Sequence, residues 1–205
     1  MPSTGARDDL PATLVVVRHG ATEWSRNGRH TGRTDLPLDA DGLDQAAALE
    51  PRLAELGLGW PRAGTVYSSP LKRALETCRM AGAGEAVTVD ERLAEWDYGR
   101  YEGMTSPEIE EVAPGWRLFS DGCPGGESVS QVRERADAFL ASLRGLELTS
   151  SATVWCFSHG HFSRVLAARW LGFDTAQGSV FELGTAGIGV LGWSHGEPVV
   201  DRWNL

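Results

Sequence analysis

Two short stretches, "TLVVVRHG" (Thr13 to Gly20) and "TVWCFSHGH" (Thr153 to His161), constrain this chain more than any other feature. Each is a continuous apolar or β-branched run that stops at a histidine followed by glycine. A run without polar alternation reads as a strand buried on both faces, which occurs mainly in parallel or mixed sheets covered by helices. In such sheets ligands gather beyond the carboxyl ends of the strands, the edge where His19 and His159 stand.

The intervening sequence supports alternating strands and helices, hence an α/β layered domain. After a turn-rich stretch from Ser25 to Asp41, Leu43, Ala46, Ala47, Leu53 and Leu56 recur at helical spacing, with Asp39 or Asp41 as N-cap and Pro51 as a kink point. "GTVYSSP" predicts a strand ending at Ser68. "SPLKRALETCRMAG" then predicts a helix with Ser69 as N-cap, Pro70 at its first position and an apolar face of Leu71, Ala74, Leu75, Cys78 and Ala81. A strand is expected over Val87 to Val89 and a loop over "RLAEWDYGRYEGM". Ser128 and Gln131 form a candidate capping box for a helix carrying Val129, Val132, Ala136, Phe139, Leu140 and Leu143. A helix through Phe162, Val165, Leu166 and Arg169 follows the second histidine, and strands over Leu183 to Trp193 and Pro198 to Trp203 finish the chain.

The 205 residues suit one domain, and their formal net charge of −9 argues against a general attraction to nucleic acid or anionic membranes. Any anion must be captured locally. The first dozen residues are polar, without the apolar core of a signal peptide, and no apolar run reaches the length of a membrane span. Residues 1–12 are expected to be a flexible segment ahead of a single domain over 13–205. Cys78, Cys123 and Cys156 are irregularly spaced and odd in number, the pattern of reduced packing thiols, which fits a cytoplasmic location.

Arginine beside histidine at a strand end suits a phosphate monoester. A guanidinium matches two phosphate oxygens through parallel charge-assisted hydrogen bonds, so Arg18 is a candidate clamp. Arg73 is a second, because it falls in the first turn of a predicted helix, where free N–H groups and the dipole favour an anion. A neutral imidazole held between them can attack phosphorus, and a second, protonated histidine can stabilise the charge that spreads in the transition state. The leaving oxygen needs a proton, for which Glu91, Glu95, Asp97 and Glu102 are all placed in the right region.

The segments "VRHGATEWS", "YSSPLKRALETC", "LAEWDYGRYEG" and "FSHGH", in that order, resemble the signature segments of the histidine phosphatase superfamily, the phosphoglycerate mutase-like family. The resemblance implies a three-layer α/β/α sandwich with a mostly parallel central sheet. It implies His19 as the nucleophile, Arg18 and Arg73 as phosphate clamps, His159 as the second histidine and Glu95 as the proton donor, with no metal or other cofactor. Ser25 stands where many members have a phosphate-contacting asparagine. Thr31, Gly32 and Ser69 match positions that line the pocket, and Gly160 brings backbone close to it.

His159 and His161 suggest a metal pair only until their divergence at a helix start, and the absence of a third ligand at suitable spacing, are considered. His161 reads better as pocket wall or packing, Trp96 and Tyr101 as core or wall, and Tyr98 as a substrate contact. Arg100, Arg117 and Arg133 are candidates for a second anionic group. Within the family, a cofactor-dependent mutase generally has a longer and more basic segment before the second histidine than "PGWRLFSDGCPGGES", so hydrolysis is the expected reaction. "DGCPGGES", "SHGHFSR" and "AGIGVLGW" are similar to a subgroup containing bacterial acid phosphatases and fungal sedoheptulose-bisphosphatase-like enzymes. That implies a small phosphorylated metabolite as partner. A phosphoprotein phosphatase and a phospho-ligand binding module are the other readings, and the C-terminal strand is the candidate surface for a homodimer.

Overall fold

The computed structural model describes residues 10–58, 65–83, 87–144 and 152–205. Six strands form one sheet: β1 (Thr13–Arg18), β2 (Val66–Ser68), β3 (Thr88–Val89), β4 (Thr153–Ser158), β5 (Ile188–Ser194) and β6 (Glu197–Arg202), in the order β3-β2-β4-β1-β5-β6. β1, β2, β3 and β4 are parallel to one another, and β5 and β6 add an antiparallel edge, β5 pairing with β1. β1 lies between β4 and β5, which explains why Leu14, Val15, Val16 and Val17 are all apolar: each is fully buried. Burying one such side chain contributes about 1.5–3 kcal/mol.

Alternation along the strands divides the core in two. Leu14 and Val16 join the apolar faces of α7 (Val129–Arg144) and α8 (Gly160–Trp170), through Val132, Phe139, Phe162 and Leu166. Val15 and Val17 point the other way, toward Leu49 and Leu53 of α3 (Leu49–Glu55) and Cys78 of α4 (Lys72–Cys78). Helices cover both faces, so the molecule is a three-layer α/β/α sandwich. The remaining helices are α1 (Glu23–Arg26), α2 (Ala40–Ala47), α5 (Ser106–Val112) and α6 (Leu118–Asp121).

Several local expectations change. The single helix expected around Leu43 to Leu56 is two, parted at Ala48, with Asp39 capping α2 through Gly42 N–H at 2.8 Å. Pro51 sits in the first turn of α3, where its missing N–H has no intrahelical partner to lose. α4 begins at Lys72 with Leu71 as its N-cap, so neither Ser69 nor Pro70 fills the position expected. The loop around "RLAEWDYGRYEGM" contains two single 3₁₀ turns, and α5 and α6 follow it unforeseen. α5 carries a local signal in the sequence: Thr105 and Glu108 form a reciprocal capping box around Pro107.

The capping box of α7 is present, with Ser128 N–H donating to Gln131 at 2.9 Å and Gln131 N–H returning to Ser128 at 3.3 Å. Leu183 to Gly187 is a turn rather than the start of a strand, closed by Gly187 N–H on Gly184 O at 3.0 Å.

Of the segment expected to be flexible, residues 1–9 lie outside the described residues. Leu10 packs against the core, and Trp193 Nε1 donates to the Pro11 carbonyl at 3.2 Å. All three cysteines are free and buried, and burial pushes the Cys78 and Cys123 thiols up to about 12. Among the described residues no helix is long and apolar enough to cross a membrane.

Candidate active site

A cavity of about 360 Å³ opens at the carboxyl edge of β1 and β4. His19 follows β1 directly and reaches it 4% exposed. Its Nδ1 lies 2.7 Å from the Gly20 carbonyl, which can only accept, so the proton is on Nδ1 and the lone pair on Nε2. Burial, then the charges of Arg73 and Arg18, hold the ring well below the usual histidine pKa, and it is neutral. The position is fixed by close backbone approach: a Cβ on Gly20 would stand 2.4 Å from the Gly42 carbonyl, and one on Gly42 would stand 2.0 Å from that of Ala21. Gly20 N–H also donates to Thr77 Oγ1 at 3.0 Å.

Arg18 lines the cavity and donates from Nη1 to the Leu183 carbonyl at 2.7 Å, while its buried Nε has no partner among the described residues. Gly160 leaves room for this guanidinium, which a Cβ there would meet at 3.3 Å. The turn at Leu183 to Gly187 therefore orients Arg18 through one of its five N–H groups, in a guanidinium that borders the cavity.

Arg73 is placed differently from the expected clamp. It is wholly buried, and four of its five N–H groups are committed: Nε to His159 Nδ1 (3.2 Å), Nη1 to Thr34 O (2.9 Å) and Nη2 to the carbonyls of Thr31 and Gly32 (3.0 Å each). Two N–H groups at the start of its helix are also taken, that of Leu71 by Ser69 Oγ and that of Lys72 by Asp35. Arg73 thus supplies positive charge behind His19 and ties the 31–34 loop to the second histidine.

His159 is fully buried, with its ring 5.2 Å from that of His19 in an edge arrangement. Because Arg73 donates to Nδ1, the proton sits on Nε2 and goes to Ser69 Oγ at 2.7 Å. Burial and the Arg73 charge depress its pKa well below the usual value. The expected protonated second histidine is therefore a neutral one, since it is buried and a cation already stands against it.

Of the four acidic candidates, Glu95 is the one that borders the cavity. Its carboxylate sits over the N-terminus of α8, accepting from the N–H groups of His161 (3.1 Å), Phe162 (2.8 Å) and its neighbour Trp96 (2.9 Å). Arg135 of α7 holds the loop behind it, donating to the carbonyls of Arg92, Ala94 and Glu95 and pairing bidentately with Glu127 at 2.9 and 2.8 Å.

The other acidic candidates have separate tasks. Glu102 binds Gly32 and Thr34 N–H groups, Asp97 pairs with Arg33 and caps Gly99 N–H, and Glu91 belongs to a 3₁₀ turn.

Of the remaining expected residues, Ser25, Thr31, Tyr98, Gly160 and His161 line the cavity. Gly32 and Ser69 stand behind it as supports for Arg73 and His159. Arg100, Arg117 and Arg133 do not border it. Arg29 and Arg164 do, together with His30, Glu182 and Asn204; of these only Arg164, at the end of "SHGHFSR", lies in a quoted segment, and none carries a role in the sequence reading. Among the described residues no group of three His, Cys, Asp or Glu is arranged to hold a metal ion.

An acid phosphatase of Mycobacterium tuberculosis is 47% identical over 186 residues, spanning 89% of this chain and 87% of the relative. A sedoheptulose 1,7-bisphosphatase of Saccharomyces cerevisiae is 33% identical, spanning 80% and 69%. The solved structure of a mycobacterial glucosyl-3-phosphoglycerate phosphatase, in complex with VO3, superposes with a TM-score of 0.81 at 31% identity, over 94% of this chain and 98% of that one. The family model described as the histidine phosphatase superfamily (branch 1) matches residues 14–205, from the first buried strand to the last residue. The chain belongs to that family.

Proposed function

We propose that this protein is an acid-phosphatase-type phosphoric monoester hydrolase that cleaves small phosphorylated metabolites through a phosphohistidine on His19, without a metal. The observation that carries this reading is the fixed tautomer of His19: Nδ1–H is spent on the Gly20 carbonyl, leaving the Nε2 lone pair in a cavity that also presents Arg18 and Glu95. Nε2 attacks phosphorus as the ester P–O bond breaks, and protonated Glu95 gives its proton to the departing alkoxide. The resulting carboxylate then takes a proton from water, whose oxygen attacks the phosphohistidine. Inorganic phosphate leaves and His19 is restored. Arg18, with Arg73 and His159 behind the nucleophile, stabilises the charge on the transferring group.

The cavity volume of about 360 Å³ suits a small ester. The names of the acid phosphatase, bisphosphatase and glucosyl-3-phosphoglycerate phosphatase relatives support a phosphate ester as substrate. The test is phosphate release from aryl and alkyl phosphates with a chelator present, comparing wild type with His19→Ala. Turnover should be chelator-resistant and fall at least 1000-fold in the variant, and a base-stable, acid-labile phosphoenzyme should be trapped from the wild type alone. Substantial release by His19→Ala would remove the nucleophile from the scheme.

A further inference from the structure

One wall of the cavity carries three ring side chains that the hydrolytic scheme does not use. His30 and His161 stack with ring centroids 5.8 Å apart, and Tyr98 packs edge-on against His30 at 4.9 Å. All three border the cavity. Phosphate capture calls for cations, yet these histidines sit in an aromatic shell, His30 against Trp116 and His161 against Phe119. Their hydrogen bonds give each a different exposed chemistry.

His30 Nδ1 is 2.9 Å from the Met104 carbonyl, which can only accept, so Nδ1 carries a proton and the neutral ring has its acceptor at Nε2. His161 Nδ1 is 2.6 Å from the Tyr98 hydroxyl. Burial keeps both groups neutral, and because a phenol O–H is the stronger donor and a ring nitrogen the stronger acceptor, the Tyr98 hydroxyl donates to His161 Nδ1. His161 then carries its proton on Nε2 and is a donor. The two remaining ring nitrogens are one acceptor and one donor on neighbouring, nearly parallel rings. An alcohol needs that pair, giving its proton to one nitrogen and accepting from the other.

We infer that the stacked His30 and His161 rings form a subsite for a hydroxyl group on the leaving part of the substrate, so that the preferred esters are those of polyhydroxylated carbon chains. The inference rests on the phosphatase reading and deepens it. Tyr98 is a positioning residue, fixing the His161 tautomer. A hydroxyl-free ester leaves both nitrogens unpaired against an apolar group, and such a mismatch in a site built for hydrogen bonding is penalised strongly.

The experiment compares kcat/KM for glycerol 1-phosphate and propyl phosphate, which differ only in hydroxyl groups, in wild type, His161→Leu, His161→Gln and Tyr98→Phe. Wild type should prefer the glycerol ester by at least 30-fold. The ratio should approach 1 in His161→Leu, recover in part in His161→Gln, which restores an N–H donor, and fall to intermediate values in Tyr98→Phe, chiefly through KM. A wild-type ratio near 1 overturns the subsite without any variant, as does a His161→Leu protein that loses both activities equally. Phosphate release from neither ester, nor from an aryl phosphate, would instead overturn the underlying phosphatase reading.

Discussion

Arg73 Nε donates to His159 Nδ1 at 3.2 Å, and this one contact decides the protonation of the second histidine. A cation that donates to a ring nitrogen forbids a proton there. The same guanidinium holds the carbonyls of Thr31, Gly32 and Thr34, so charge placement and loop structure depend on one side chain.

Replacing that fork should therefore destabilise the fold as well as the reaction. A lysine has three donors on a single nitrogen and cannot reach carbonyls and imidazole in one plane. Arg73→Lys is expected to cost about 2–4 kcal/mol through the stranded carbonyls, seen as a lower urea midpoint at unchanged slope, and to lower kcat at least 100-fold. A variant with wild-type stability would show that the carbonyl contacts contribute little.

Glycine 42 governs the nucleophile from a different element. Its missing Cβ admits the Ala21 backbone, which would otherwise be 2.0 Å away. Gly42→Ala must push α2 and the loop after His19 apart, and displacement of a nucleophile by about 1 Å can cost on the order of 100-fold in rate. The expected result is a folded enzyme with kcat reduced 10- to 100-fold, measured on an aryl phosphate. Unaltered turnover would mean that the loop yields without moving His19.

Glu95→Gln separates proton donation from binding. An amide keeps one oxygen for the α8 N–H groups but cannot protonate an alkoxide. Hydrolysis of alkyl phosphates should fall 100-fold or more, while aryl phosphates, whose leaving group needs less help, should fall less than 10-fold. Equal losses on both classes would exclude Glu95 as the donor.

Acid should unfold this protein by protonating buried rings. His19, His159 and His161 all have folded pKa values well below the ordinary 6.5, chiefly through burial. The unfolded chain therefore binds more protons than the folded one below about pH 6.5. Their contribution is whole above that value and is lost as pH falls toward the folded pKa values. Each proton taken up on unfolding contributes about 1.4 kcal/mol per pH unit, so three impose a slope of up to about 4 kcal/mol per unit. Chemical denaturation at pH 7, 6 and 5 should show that fall, and His161→Phe should lessen it by about one proton. A pH-independent stability over this range would contradict neutral burial of the three rings.

The two buried strands, the capped helix after Ser128 and the pairing of Arg18 with His19 were readable because each follows from local pattern: uninterrupted apolar residues, a reciprocal cap, adjacency in sequence. The four ordered segments also brought Arg73, Glu95 and His159 into view as one set. What lay beyond reach was how those groups are divided. A sequence spacing cannot tell a clamp whose donors face the ligand from one that spends them on backbone carbonyls, as Arg73 does. Nor does it show that the N-terminus of α8 receives the carboxylate of Glu95, 66 and 67 residues away in the chain.

The sequence by itself determined the sheet edge, the placing of Arg18 and His19 there and the net negative charge of the chain, because strand burial and side-chain type are local properties. Only the tertiary structure decided the tautomers of His19, His30, His159 and His161 and the place of Arg29 and Arg164 on the cavity wall. A proton's position on a ring depends on which distant group meets each nitrogen, and that is fixed by packing between elements.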